Sequence, residues 1–106
     1  MTGPPSEYAE SVLDLVERIP PGRVMSYGMI AEYLRERTGR GSARTVGTVM
    51  ARYGGGVPWH RVVSGAGRLP PGHEATARER LESEGVPFRG MHVDLELVRW
   101  WPTEAL

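Results

Sequence analysis

The chain has 106 residues and a mass of 11.7 kDa, with 40% hydrophobic and 25% charged residues. That is the size of one small domain with room for a single hydrophobic core. No apolar run approaches the ~18 residues of a membrane-spanning helix. The opening Met1-Thr2-Gly3-Pro4-Pro5 has neither the basic start nor the apolar stretch of a secretory leader, so a cytoplasmic location is expected. There is no cysteine, which excludes disulfides, thiol catalysis and thiolate metal sites. His60, His73 and His92 have no helical metal-ligand spacing, and neither a metal nor another cofactor is expected.

The net charge of zero hides a segregation. All 13 basic residues are arginine, and between Arg18 and Arg68 nine arginines face only two acids, Glu32 and Glu36. That block carries +7, while residues 1–17 carry −4 and residues 69–106 carry −3. A basic block of this density on a neutral chain points to a polyanion-facing surface, with nucleic acid as the favoured partner. The competing reading is arginine-rich composition spread evenly over the folded surface.

In chain order, Tyr8, Val12, Leu15, Val16 and Ile19 share one face of a helix that Ser6 caps and Pro20-Pro21-Gly22 stops. Arg23-Val24-Met25 suits an extended segment. Ser26 opens a second helix over roughly 27–37, with Ile30, Tyr33 and Leu34 inward and Thr38-Gly39 at its end. Ser42 opens a third over roughly 43–53, with Val46, Val49, Met50 and Tyr53 inward and Gly54-Gly55-Gly56 after it. Helix, tight turn, helix is the layout of a helix-turn-helix, the third helix being the reader. Gly47 lies mid-helix, where it costs about 1 kcal/mol against alanine. It marks close approach by another backbone, or else helix–helix packing.

After Val57-Pro58-Trp59-His60-Arg61-Val62-Val63, the run Ser64-Gly65-Ala66-Gly67-Arg68-Leu69 reads as a turn between two short strands, a wing. Residues 74–84 are predicted helical, with Ala77 and Leu81 inward and Gly85 as the C-terminal cap. The tail from His92 to Trp101 alternates loosely and suits a strand or an extended strap.

One string carries more than its periodicity. Pro58-Trp59-His60-Arg61-Val62 resembles the Pro-Cys-His-Arg-Val signature of O6-alkylguanine-DNA alkyltransferases, with tryptophan where the reactive cysteine stands. That replacement resembles the alkyltransferase-like proteins. Other stretches match the family in order and spacing: Ile19-Pro20-Pro21-Gly22-Arg23-Val24, Ser26-Tyr27-Gly28 with Ile30-Ala31, Ala43-Arg44-Thr45-Val46-Gly47, and Glu84-Gly85-Val86. The resemblance spans about residues 8 to 88. It implies a mainly α fold, a winged helix-turn-helix at about 26–69 within a single domain over 1–106. The domain should be similar to the C-terminal domain of the alkyltransferases.

The resemblance also implies roles. Double-stranded DNA containing O6-alkylguanine would be the ligand, and nucleotide-excision-repair proteins the partners of the bound complex, with the protein itself a monomer. Tyr27 would crowd the phosphate beside the target and help rotate the nucleotide out, at a helix N-terminus suited to phosphate. Arg44 would enter the duplex and fill the vacated place in the stack; the simpler alternative is a phosphate clamp. Gly47 would let the third helix lie in the minor groove. Thr45, Thr48 and Ser64 would touch the DNA backbone. Tyr27, Met50, Trp59, Val62 and Val63 would line the lesion pocket. Pro58, His60, Arg61 and Glu84 would form the signature-loop network, His60 and Glu84 as a hydrogen-bonded pair that orients the loop. Arg61 would tie that loop together or else contact DNA.

Alkyl transfer needs a thiolate. Trp59 has no nucleophile, so transfer at this position is chemically impossible, and no enzymatic activity is expected. What remains is a base-holding pocket with a broad apolar face, or a filled and dead one. The sequence departs from the family in two places. Tyr53-Gly54-Gly55-Gly56 stands where the alkyltransferases carry a hinge asparagine. The wing is compressed into Gly67-Arg68-Leu69-Pro70-Pro71-Gly72, leaving Arg68 as the nearby arginine to face the lesion. The rival function is a sequence-specific winged-helix regulator, disfavoured by a third helix that lacks Asn, Gln and Lys. A lyase, glycosylase or other transferase is disfavoured further, because no lysine exists for a Schiff base and nothing activates Ser64.

Overall fold

Three serines start three helices. In the computed structural model, which describes residues 5–103, Ser6 Oγ accepts from the Ala9 N–H at 3.1 Å and opens α1, Glu7–Arg18. Ser26 Oγ accepts from Met29 N–H at 3.1 Å and opens α2, Tyr27–Thr38. Ser42 Oγ accepts from Thr45 N–H at 3.2 Å and opens α3, Ala43–Tyr53. Each serine satisfies one of the orphan N–H groups of a first turn. Residues 1–4, most of the segment read above for a leader, lie outside the described residues.

The turn between α2 and α3 is fixed from both sides. Gly39 adopts φ 78° and its N–H donates to Arg35 O at 2.8 Å. Gly41 adopts φ 121° and packs so closely on Tyr8 that a Cβ there would overlap the phenol. Arg35 adds a guanidinium bond to Gly41 O at 2.9 Å. Only glycine combines such backbone angles with so close an approach. The helix-turn-helix geometry is therefore built by α1 as much as by the two helices themselves.

After α3 come two short 3-10 turns, Gly54–Gly56 and Trp59–Arg61. A two-stranded parallel sheet joins β1, Met25–Ser26, to β2, Val62–Val63, with Met25 opposite Val62 and Ser26 opposite Val63. This sheet divides the interior. Met25 and Val62 join the cluster of Val12, Leu15, Val16, Ile30, Leu34, Val46 and Val49, whereas Val24 and Val63 join Leu69, Ala77, Leu81, Val86, Val93 and Val98. Alternation along each strand sends neighbouring side chains to opposite faces, so a two-residue strand feeds two clusters. The expected single core is thus corrected to two, back to back across the sheet.

Two further expectations change. The predicted wing strands do not pair with each other: Val62-Val63 takes β1 as its partner, and the next residues fold into a tight turn. Ser64 Oγ closes that turn by accepting from Ala66 and Arg68 N–H, and Ser64 N–H donates to Arg68 O. The buried sheet position outcompetes a local hairpin because valine gains more there than on an exposed wing. The tail is neither a single strand nor a plain strap. It forms the hairpin of β3, Phe88–Arg89, with β4, His92–Val93, and then one helical turn, α5, Leu95–Val98. Only then does it run extended, where Arg99 bridges Val24.

Between them lies α4, Glu74–Ser83, which ends as predicted at Gly85, φ 85°. Val86 N–H reaches Leu81 O and Gly85 N–H reaches Glu82 O, both at 3.0 Å, the paired bonds of a Schellman ending. That ending fixes Glu84 at the helix terminus.

Candidate nucleic-acid interface

Glu84 is the centre of the signature-loop network. Its carboxylate accepts from Gly22 N–H at 3.0 Å, from Arg61 Nη2 at 2.8 Å and Nε at 3.1 Å, and meets His60 Nε2 at 2.8 Å. The third Arg61 nitrogen donates to Ile19 O at 3.0 Å. All three Arg61 nitrogens are thus engaged by the scaffold. Burial by itself would raise the Glu84 pKa. The Arg61 and His60 bonds, the Gly22 N–H and the Arg61 charge override it and hold the carboxyl at about 2. An ionised carboxylate only accepts, so His60 Nε2 carries the proton of their bond. His60 Nδ1 is then buried with no partner among the described residues. No cysteine exists in the chain for that nitrogen to meet.

Trp59, held between Pro58 and His60 at the start of the second 3-10 turn, is half-buried. The Arg80 guanidinium lies over its ring, 5.1 Å from the centroid, a cation–π contact from α4. His60 and His73 meet it edge-on, at 6.1 and 5.5 Å between centroids. The half-buried indole packs on one side against the cluster of Val63, Leu69, Ala77 and Leu81. It borders a cavity of about 610 Å³, a size that accommodates a small organic ligand.

Tyr27 reaches that cavity from the N-terminus of α2, Gly47, Met50 and Ala51 from α3, Gly54 and Gly55 from the turn after it, and Pro70, Pro71 and His73 from the segment before α4. Burial raises the Tyr27 pKa, so its phenol stays protonated and can donate at neutral pH. Tyr27, Met50 and Trp59 thus meet as expected. Val62 and Val63 do not line this cavity; 1% and 0% exposed, they are the sheet partition between the two clusters. Arg68, expected at the lesion, does not line it either, and Ser64, expected on the DNA backbone, lies beside Arg68. They line an adjoining groove of about 650 Å³, on the other side of Tyr27 and Pro71, with Met91 and His92. The shortened turn after β2 carries them there. Sequence reasoning missed His73, Pro70, Pro71 and Arg80 at Trp59. Pro70-Pro71-Gly72 signalled only a break in structure, and nothing in the string says which face the break would turn inward.

The outward face of α3 presents Arg44, Thr45 and Thr48, all exposed. Thr48 Oγ1 donates back to Arg44 O, and Thr45 Oγ1 is 3.1 Å from Ser42 Oγ. The Arg44 guanidinium makes no hydrogen bond or ion pair among the described residues. Gly47 lies on the cavity side, and a Cβ built there meets nothing within 4 Å. Helix–helix packing therefore does not explain this glycine. Gly47→Ala is expected to raise the stability of the free protein by about 1 kcal/mol while weakening DNA binding severalfold. Thermal melting and a DNA titration on the same variant check both halves, and unchanged binding would remove close approach as the reason for the glycine.

Among the described residues no group of three His, Asp or Glu side chains is placed to hold a metal ion, and no helix is long and apolar enough to cross a membrane.

Comparison with known proteins identifies the family and the fold. The family described as 6-O-methylguanine DNA methyltransferase, DNA binding domain, matches residues 7–86. The DNA base-flipping protein of Escherichia coli strain K12 is 35% identical over 98 residues, which cover 88% of this chain and 74% of that protein. Alkyltransferase-like protein 1 of Schizosaccharomyces pombe is 39% identical over 86 residues, covering 76% and 77%. The crystal structure of S. pombe Atl1 in complex with damaged DNA containing O6-carboxymethylguanine superposes with a TM-score of 0.73 at 32% identity, covering 94% of this chain and all of that one. A second S. pombe structure with DNA gives 0.71 at 31% identity, with the same coverage. The chain belongs to the family of the 6-O-methylguanine DNA methyltransferase DNA-binding domain.

Proposed function

We propose that this protein is a non-enzymatic sensor of O6-alkylguanine in duplex DNA. The observation that carries the reading is Trp59. It stands in the cysteine position of the signature, beside an intact His60–Glu84–Arg61 network, and faces an open cavity. A nucleophile's supporting scaffold is retained around a residue that cannot react. Such a site holds a base without altering it.

In this reading α3 docks in the minor groove, with Gly47 allowing the backbone close and Thr45 and Thr48 on the strand. Arg44 enters the stack, Tyr27 assists rotation at the phosphate, and the damaged guanine rests against Trp59 between Tyr27 and Met50. The protein acts as a monomer, without cofactor, in the cytoplasm, and the bound complex is passed to nucleotide excision repair. Relatives named for base flipping, and one solved with an O6-carboxymethylguanine duplex, support the DNA step; the hand-over rests on family resemblance.

The test is a titration at fixed salt of two duplexes differing in one O6-methylguanine. Tighter binding to the methylated duplex, with no methyl loss by mass spectrometry, is expected. Affinity should fall with added salt as arginine–phosphate contacts release counterions. Trp59→Ala should lower the preference for the lesion more than total binding. Equal affinity of the wild type for both duplexes would replace this reading with the sequence-specific regulator.

A further inference from the structure

We propose that His73 is the residue that selects among lesions, by donating a hydrogen bond to an oxygen carried on the O6 substituent. The inference rests on the sensor reading above and names the substrate class within it: guanines whose O6 substituent bears a carboxylate or other acceptor oxygen.

The argument starts at the indole. A base that stacks on Trp59 lies parallel to it. The His73 ring is inclined at 61° to that plane, with its centroid 5.5 Å away, and lines the same cavity. A ring at this angle does not share the stacking plane, and it borders the cavity that a base on Trp59 would enter. Most of the remaining lining is apolar or glycine: Met50, Ala51, Gly54, Pro70 and Pro71. Tyr27 supplies a phenol from the α2 end.

The His73 backbone is fixed while its ring is free to serve. Its N–H donates to Pro70 O at 3.1 Å, and its carbonyl accepts from Ala77 N–H at 3.0 Å. It occupies the N-cap position of α4 but makes no side-chain cap bond. Among the described residues the imidazole makes no hydrogen bond at all. An imidazole always carries at least one N–H. A methyl substituent offers that donor nothing; a carboxymethyl group offers it an anionic acceptor, the stronger kind of partner. Arg68, the arginine that the sequence suggested for this place, lies in the adjoining groove beyond Pro71.

The experiment uses the full chain and three duplexes, identical except for guanine, O6-methylguanine or O6-carboxymethylguanine at one position. Wild type, His73→Ala and His73→Gln are titrated against each. His73→Ala should weaken the carboxymethyl duplex about tenfold, the loss of one charge-assisted bond, and the methyl duplex less than twofold. His73→Gln, which keeps an N–H donor, should recover much of the carboxymethyl affinity. Melting temperatures should stay together, since the ring supports no cap. If His73→Ala weakens both lesion duplexes alike, or neither, while the wild type still prefers lesions to guanine, the His73 assignment is wrong and the sensor reading stands. If the wild type prefers neither lesion to guanine, both fall together.

Discussion

Glu84→Ala is expected to cost about 3 kcal/mol of folding stability, the low end of the penalty for removing one partner of a buried ion pair. The carboxylate is the shared acceptor for Arg61, His60 and the Gly22 N–H. The side chains of Arg61 and His60 are only 15% and 7% exposed, so water does not replace what the variant removes. Urea unfolding with an unchanged m-value reads the loss as a lower midpoint. The effect carries a pH signature. The folded-state pKa lies at about 2, below its ordinary value of 4.5. The stabilisation is therefore fully present above about pH 4.5 and disappears as the pH falls toward 2. Wild type and variant should differ most near neutral pH and converge in acid. A loss below 1 kcal/mol at neutral pH would show the network to be ornamental.

Arg44→Ala is expected to lower affinity for a lesion duplex tenfold or more. Unstacking a base costs a few kcal/mol, and the variant leaves the vacancy unfilled. Arg44→Lys separates insertion from a phosphate clamp. Lysine keeps the charge but has no planar group to lie in a base stack. Under insertion Arg44→Lys should bind nearly as poorly as Arg44→Ala; under a clamp it should bind nearly as well as wild type. 2-Aminopurine fluorescence next to the lesion adds a direct reading of unstacking, which under insertion both variants should abolish.

The parts of the molecule legible in its sequence are those that obey local rules. Ser6, Ser26 and Ser42 open helices because a serine hydroxyl replaces a missing backbone acceptor wherever a first turn begins. Gly85 closes α4 because it alone accepts a left-handed backbone there without cost. The partition of Val62 and Val63 into two clusters was not legible. Two adjacent valines read the same whether they pair with a neighbouring turn or with Met25-Ser26 far back in the chain. His73 was invisible for a related reason. Its position on the cavity follows from how Pro70-Pro71-Gly72 redirects the backbone, and that direction is set by the packing of α4, not by the residues of the turn. Motif resemblance supplied Tyr27, Met50 and Trp59 at the cavity, but it also placed there Val62 and Val63, which the sheet buries, and Arg68, which lines the adjoining groove.

The segment from Ile19 to Val24 gathers partners from the far end of the chain. Ile19 O accepts from Arg61, Gly22 N–H donates to Glu84 across 62 residues, Arg23 donates to Arg99 O across 76, and Val24 pairs with Val98 and Trp100. Loop closure of that length comes late in folding and slows it. The α1–α2–α3 unit forms from contacts within the first half of the chain, whereas the loop that carries Trp59 is locked when Glu84 has been made and has found Gly22. On the ribosome, then, the first three helices are expected to take shape before the pocket beside them does, and a chain interrupted ahead of α4 would present the first without the second.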